Sequence, residues 1–169
     1  MLFRSVPNCN AADISVDNPL RLLGQRLGTQ VSLAYDNLAF KEACESIITL
    51  AHSSNKYIDD LAPWALFKQD KHAELAEVLY AALESARLAA YLLAPIAPKI
   101  STDIYRQLGL EIDFDLIGGN QLVGSDPTVL NLAANCQHHL EWGILKANDL
   151  LGEPRPIFAK LELPLVVNN

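Results

Sequence analysis

Positive charge is scarce in this sequence. Among its 169 residues, 13 lysines and arginines stand against 20 aspartates and glutamates, for a formal net charge of −7 at pH 7. Nonspecific nucleic-acid binding runs on phosphate neutralisation by Lys and Arg, so that mode is excluded. Any RNA contact has to be small and local, made to bases by stacking and hydrogen bonding. Long apolar runs are missing as well. Hydrophobic residues make up 50% of the chain, but Glu84, Arg87 and Pro95 break the richest region. A bilayer span needs about 20 consecutive apolar residues, so no membrane partner is expected. The opening Met1-Leu2-Phe3-Arg4-Ser5-Val6-Pro7 has no basic region followed by an apolar core, and so is no secretory signal. Cysteine is sparse: Cys9, Cys44 and Cys136 are odd in number and irregularly spaced. That excludes a disulfide framework and leads us to expect a reduced, cytoplasmic setting. No Cys-x-x-Cys pair occurs, and the adjacent His138 and His139 lack the i, i+4 spacing that turns two helical ligands toward one ion, so no metal is expected.

Catalytic signatures are missing too. His52, Ser53 and Ser54 lie side by side without a nucleophile elbow. Gly118-Gly119 follows no strand and belongs to no phosphate-binding pattern. Glu42, Glu45, Asp59, Asp60, Glu74, Glu77 and Glu84 read as solvated helix faces rather than as an acid/base pair held in contrasting environments.

What the chain does have is helical periodicity, on a length that suits one domain. Residues 1–18 carry turn chemistry (Pro7, Asn8, Asn10, Asp13, Asp17) and read as a connector. Asn18-Pro19 signals a capped start. Leu20, Leu23, Leu27, Val31 and Ala34 then place a first helix over roughly 19–35. Asp36 or Asn37 can cap a second helix, whose stripe is Phe40, Cys44, Ile47, Ala51, Asn55 and Ile58. A long helix follows the polar break at Gln69-Asp70-Lys71, with Leu75, Leu79, Ala82, Ala86, Ala89 and Leu93 inward, and stops before Pro95. Past the elbow Ala94-Pro95-Ile96-Ala97-Pro98, a further helix begins at or just before Ser101 and stops at Gly109. Residues 110–127 read as a loop, Thr128 to Leu140 as one more helix, and Glu153 to Pro164 as an extended tail.

The most informative segment runs from Asn55 to Trp64. A residue before proline is driven out of the helical region, and proline suits a first helical turn. One helix must therefore end near Leu61 and another start at Pro63, with Trp64 held at the corner. Such a ring either closes a core or stacks on an unpaired base. Asn55, in phase with the inward stripe, either pairs with a neighbouring group or opens toward a ligand. An inward asparagine left unpaired would cost about 1–3 kcal/mol, which favours the paired role. Arg87, beside an apolar stripe, either snorkels to solvent or pairs with Asp59 or Asp60; pairing would set the angle between the two helices.

Asn55-Lys56-Tyr57-Ile58-Asp59-Asp60, then Ala62-Pro63-Trp64, Leu66 and Lys68, resemble the anticodon-binding helical domain of methionyl-tRNA synthetases. The resemblance runs from about Asn18 to Glu162. It is also carried by Tyr35 to Ala43, by Leu83-Glu84, Arg87, Ala90, Leu92-Leu93, Pro95 and Pro98, and by Trp142-Gly143 through Pro156 to Glu162. It implies an all-α bundle of the class I synthetase anticodon-binding type over 19–169, with an extended C-terminal tail. It implies a monomer that recognises the CAU anticodon of methionine tRNA. Trp64 would stack on a base, Pro63 fix its ring and Asn55 support the corner or touch a base, with Asp59, Asp60, Arg87 and Lys160 in support. The family usually has arginine where Lys160 stands, and lysine offers a point charge instead of a planar fork. The catalytic-domain signatures are not found, so no cofactor is expected here. ATP and methionine would bind a catalytic domain partnering this one. The rival reading is a freestanding helical interaction protein reusing the fold, which a buried Trp64 would favour.

Overall fold

Local chemistry at Asn18 starts the first helix. Its Oδ1 accepts from the backbone N–H groups of Leu20 and Arg21 at 3.0 and 3.2 Å, and Pro19 takes the first helical position, where its missing N–H costs nothing. In the computed structural model, which describes residues 4–112, 114 and 138–157, this opens α1 (Pro19–Asp36). There follow α2 (Phe40–Leu61), α3 (Pro63–Lys68), α4 (His72–Leu93) and α5 (Pro98–Gln107). The protein is all-α: among the described residues the only extended pairing is one isolated antiparallel bridge, Ser5 to Leu150.

The proline and glycine signals mark the element ends well. α2 stops at Leu61, α3 starts on Pro63 and α4 ends before Pro95. α5 begins on Pro98 itself, the second proline of the elbow. Beyond its end, Gly109 adopts φ +76°, and a Cβ there would collide with the Leu150 carbonyl. The expected cap of α2 is corrected. Neither Asp36 nor Asn37 caps it: Asp36 closes α1, and the Asn37 side chain donates back to the Leu33 carbonyl at 2.8 Å. Leu38, at φ +57°, makes the turn instead.

The inward faces also differ from expectation. α2 buries Ala43, Ile47, Leu50 and Ser54, largely one position off the expected stripe, and leaves Phe40, Ala51 and Asn55 exposed. Ile47-Ile48 and Leu50-Ala51 let two adjacent stripes fit the same periodicity, and packing on α1 and α4 selects one of them. In α4 ten residues are buried, among them Tyr80, Glu84 and Arg87, while Ala86 is exposed. This helix is covered on most sides, by α1, α2, α3 and α5.

Two cores result. Leu27, Val31, Ala43, Ile47, Leu50, Leu88 and Leu92 join α1, α2 and α4, and truncating one of the larger residues should cost about 2–5 kcal/mol. Val6, Cys9, Ile14, Tyr80, Leu108 and Leu145 form the second. The N-terminal segment is thus pinned to the bundle from Arg4 onward. Val6 N–H donates to Asp149 O, Asn148 N–H to Val6 O and Leu151 N–H to Arg4 O, at 2.8–3.0 Å. Most of the loop and helix expected over 110–140, and the tail beyond Ile157 with Lys160, lie outside the described residues.

Glu84 and Arg87 require two corrections. Both side chains have zero exposure and they pair with each other, Arg87 Nη2 lying 2.7 Å from Glu84 Oε1. Glu84 is therefore no solvated face, and Arg87 does not pair with Asp59 or Asp60. The partners come from far along the chain. Glu84 accepts the N–H groups of Gly143, Ile144 and Leu145 at 2.7–3.3 Å. Arg87 donates to the carbonyls of His139 and Glu141 at 2.8 and 2.6 Å and to the Tyr105 hydroxyl at 3.3 Å. A buried ion pair survives only when its remaining hydrogen-bonding capacity is filled, and here residues 139–145 fill it.

Candidate nucleic-acid interface

The corner between α2 and α3 is built by backbone. Ala62 sits in the left-handed region at φ +43°, which costs a non-glycine residue roughly 1–2 kcal/mol. Its N–H closes α2 on Ile58 O at 2.9 Å, and its carbonyl accepts Ala65 N–H at 2.7 Å to open α3. Pro63 then holds φ at the first position of α3. α3 is a short turn packed on α4 and α2 and buries none of its own residues.

Trp64 consequently stands 56% exposed, Phe67 54% and Leu61 42%. The tryptophan is not core. Asn55 is exposed as well, not turned inward as its place on the expected stripe of α2 implied. One turn further along α2, Asp59 is also exposed, in line with Asn55 at the i, i+4 spacing that shares a helix face. Asp60 is engaged by Lys56, whose Nζ lies 2.8 Å away in an exposed pair. The hydrogen bond from that carboxylate, and then its charge, raise the Lys56 pKa. Lys68 is exposed beside them. Pro63 and Trp64 thus stand at the corner, Asn55 and Asp59 lie exposed on the last two turns of α2 before it, and Arg87 is elsewhere, in the interior.

One positioning residue escaped sequence reasoning. Tyr57, half-buried, accepts a hydrogen bond at 2.9 Å from Nδ2 of Asn18, the residue whose Oδ1 caps α1. Asn18 thereby ties the start of α1 to the turn of α2 that carries Asn55 and Asp59. Burial, opposed by the Asn18 bond, raises the Tyr57 pKa, so the phenol stays neutral. Asn18 was legible as a cap; its second partner, 39 residues away, was not.

Elsewhere chemistry is quiet. Cys9 is buried, and burial followed by the charges of Asp13 and Glu77 pushes its thiol up to about 11, the reverse of an activated nucleophile. Among the described residues no three His, Cys, Asp or Glu side chains gather to hold a metal ion, and no helix is long and apolar enough to cross a membrane. A groove of about 470 Å³ runs between α5 and residues 153–157. Its charges are matched locally, Arg155 to Glu153 at 3.4 Å and Arg106 to Asp103 at 3.7 Å.

Comparison with known proteins shows the family. The family profile described as the anticodon binding domain of methionyl tRNA ligase matches residues 10–115. A methionine–tRNA ligase of Synechocystis is 50% identical over 158 residues, covering 94% of this chain and 28% of that relative. One from Nostoc is 45% identical over 150 residues, covering 89% of this chain and 26% of that relative. The chain therefore spans about a quarter of the length of the curated relatives it matches. The crystal structure of the apo form of Mycobacterium tuberculosis methionyl-tRNA synthetase shares the fold, with a TM-score of 0.70, 24% identity and coverage of 95% of this chain and 29% of that one.

Proposed function

This chain belongs to the family of methionyl-tRNA ligase anticodon-binding domains, and we propose that its Trp64 corner reads the CAU anticodon of methionine tRNA. The exposed Trp64 ring, held by Ala62 and Pro63 at the family's characteristic junction, carries the reading. In this role Trp64 offers its face to an unpaired base. Pro63 sets the ring's direction, and Asn55, exposed on the adjoining turn of α2, supplies an amide that donates and accepts toward a base edge. Asp59 and Asp60 shape the rim, and Asp60 keeps Lys56 in place. Lys160 has a supporting role. Residues 19–169 act as the anticodon-binding unit behind the segment 1–18. The protein works as a monomer in the cytoplasm, and its catalytic partner is the ATP- and methionine-binding domain of the ligase.

With a net charge of −7, affinity comes from stacking and base contacts more than from phosphate neutralisation. Binding should be weak and only mildly salt-dependent. The test is titration of the chain with a labelled stem-loop RNA bearing CAU, and with loops altered at each anticodon position. Wild type should prefer CAU, and Trp64→Ala should lose about 1–3 kcal/mol of binding with its circular dichroism unchanged. Equal binding of CAU by wild type and Trp64→Ala would refute this role for the tryptophan.

A further inference from the structure

Trp64 and Phe67 stand three positions apart on α3 and are exposed to nearly the same degree, 56% and 54%. Residues at i and i+3 lie on the same side of a helix, with Cβ atoms about 5–6 Å apart, so two exposed aromatic residues leave α3 on one side of the corner. α3 buries none of its own residues; Pro63, Ala65 and Leu66 are its partly buried positions, and Trp64, Phe67 and Lys68 its exposed ones. Phe67 has a ring neighbour, His72, at the start of α4, with centroids 6.2 Å apart and planes at 65°. His72 itself lies 3.7 Å from Asp70.

We infer that Phe67, steadied by His72, is a second stacking platform that takes the unpaired base next to the one on Trp64. The inference rests on the anticodon-reading function proposed above and extends it from one base to two. An aromatic platform accepts any base through its π-face, so Phe67 contributes affinity and the spacing of the strand, and base identity is read by other groups. Lys68, one position on and four from Trp64, is exposed and offers a cation to the phosphates of a strand bound there. A protein partner suits the patch less well. A stable protein interface needs roughly 800 Å² per side, whereas the large apolar residues exposed here are three, Leu61, Trp64 and Phe67, and Asn55, Lys56 and Lys68 on the same two helices are exposed polar residues.

The experiment is a cycle that crosses the protein variants wild type, Trp64→Ala, Phe67→Ala and Phe67→Tyr with stem-loop RNAs carrying CAU or an abasic site at each anticodon position. Binding is read by fluorescence anisotropy of labelled RNA. Phe67→Ala should weaken CAU binding by about 5- to 150-fold, and Phe67→Tyr should bind as wild type. The Phe67→Ala loss should vanish with one abasic position and the Trp64→Ala loss with a different one. Phe67→Ala binding like wild type while Trp64→Ala is impaired would overturn the second platform and leave the parent reading standing, assigning Phe67 to another contact. Losses that vanish at the same abasic position would also overturn it, because both rings would then serve one base. Indifference of CAU binding to both alanine substitutions would overturn the parent reading and this one together.

Discussion

The Trp64 corner and the Glu84–Arg87 clamp are opposite solutions to placing demanding side chains on helices. In the clamp, exposure is zero, and the carboxylate and guanidinium are met by each other, by Tyr105 and by backbone groups of residues 139–145. Burial tends to lower the Arg87 pKa, but the Glu84 charge and hydrogen bond, with Tyr105, outweigh it and hold it raised. Nothing in the clamp is left over for a ligand. At the corner, backbone geometry does the holding: Ala62 in the left-handed region, Pro63 after it, and Tyr57 bound to Asn18. Trp64, Phe67 and Asn55 are left facing solvent. The clamp uses its interactions to fasten the C-terminal segment, and the corner leaves its side chains open to solvent.

The sharpest way to test this contrast is to break the clamp. Arg87→Met leaves the Glu84 carboxylate buried without its counter-charge, and urea denaturation should show a loss of about 3–5 kcal/mol. A loss under about 1 kcal/mol would mean that the clamp does not fasten residues 139–145.

Gly24→Ala probes the same fastening from the other side. A Cβ there would lie 2.6 Å from Trp142 Cε3 and 3.1 Å from Leu88 Cδ2. The helix-propensity gain of about 1 kcal/mol should be outweighed by overpacking of about 1–3 kcal/mol, for a net fall in the urea midpoint. A rise would show that the Trp142 ring gives way freely.

His139 adds a pH dependence. Its ring stacks on Tyr91, with centroids 5.6 Å apart. The Tyr105 hydroxyl, which accepts from Arg87, lies 3.3 Å from its Nδ1. Burial first, then the charges of Arg87 and His138, lower its pKa from 6.5 to about 4, against the attraction of Glu84. Between those values the unfolded chain binds the proton and the folded one resists it. This contribution is therefore complete above pH 6.5 and lost as pH falls toward 4. Because the ring is only partly buried, solvent screening reduces the loss to on the order of 1–2 kcal/mol. Subtracting the stability–pH curve of His139→Gln should isolate it, and a flat difference would show that the ring is charged freely in place.

The smallest effect belongs to the corner. Trp64→Ala should change folding stability by less than about 1 kcal/mol, against the 3–5 kcal/mol of a buried tryptophan. A loss in the latter range by thermal or urea unfolding would make Trp64 part of the core and erase the contrast.

How much could be read in advance depended on how far apart the deciding groups lie. Helix ends are decided locally, by the missing N–H and fixed φ of proline, the side-chain oxygen of Asn18 and the backbone freedom of Gly109. For that reason the start of α1, the α2–α3 corner at Pro63 with Trp64 after it, and the stop before Pro95 were legible. Which face turns inward is decided by neighbours. In α2 and α4, adjacent apolar and alanine positions fit more than one stripe, so Asn55 read as inward and proves exposed. Glu84 read as solvated and proves buried, because the amides that satisfy it come from Gly143 to Leu145, about 60 residues away. The sequence by itself determined an all-α chain with an aromatic corner, through interactions that span a turn or two. Only the tertiary structure decided that Arg87 and Glu84 form an interior clamp and that Trp64 faces outward. A charge can be buried or a ring left bare only when distant segments arrive, or fail to arrive, to cover it.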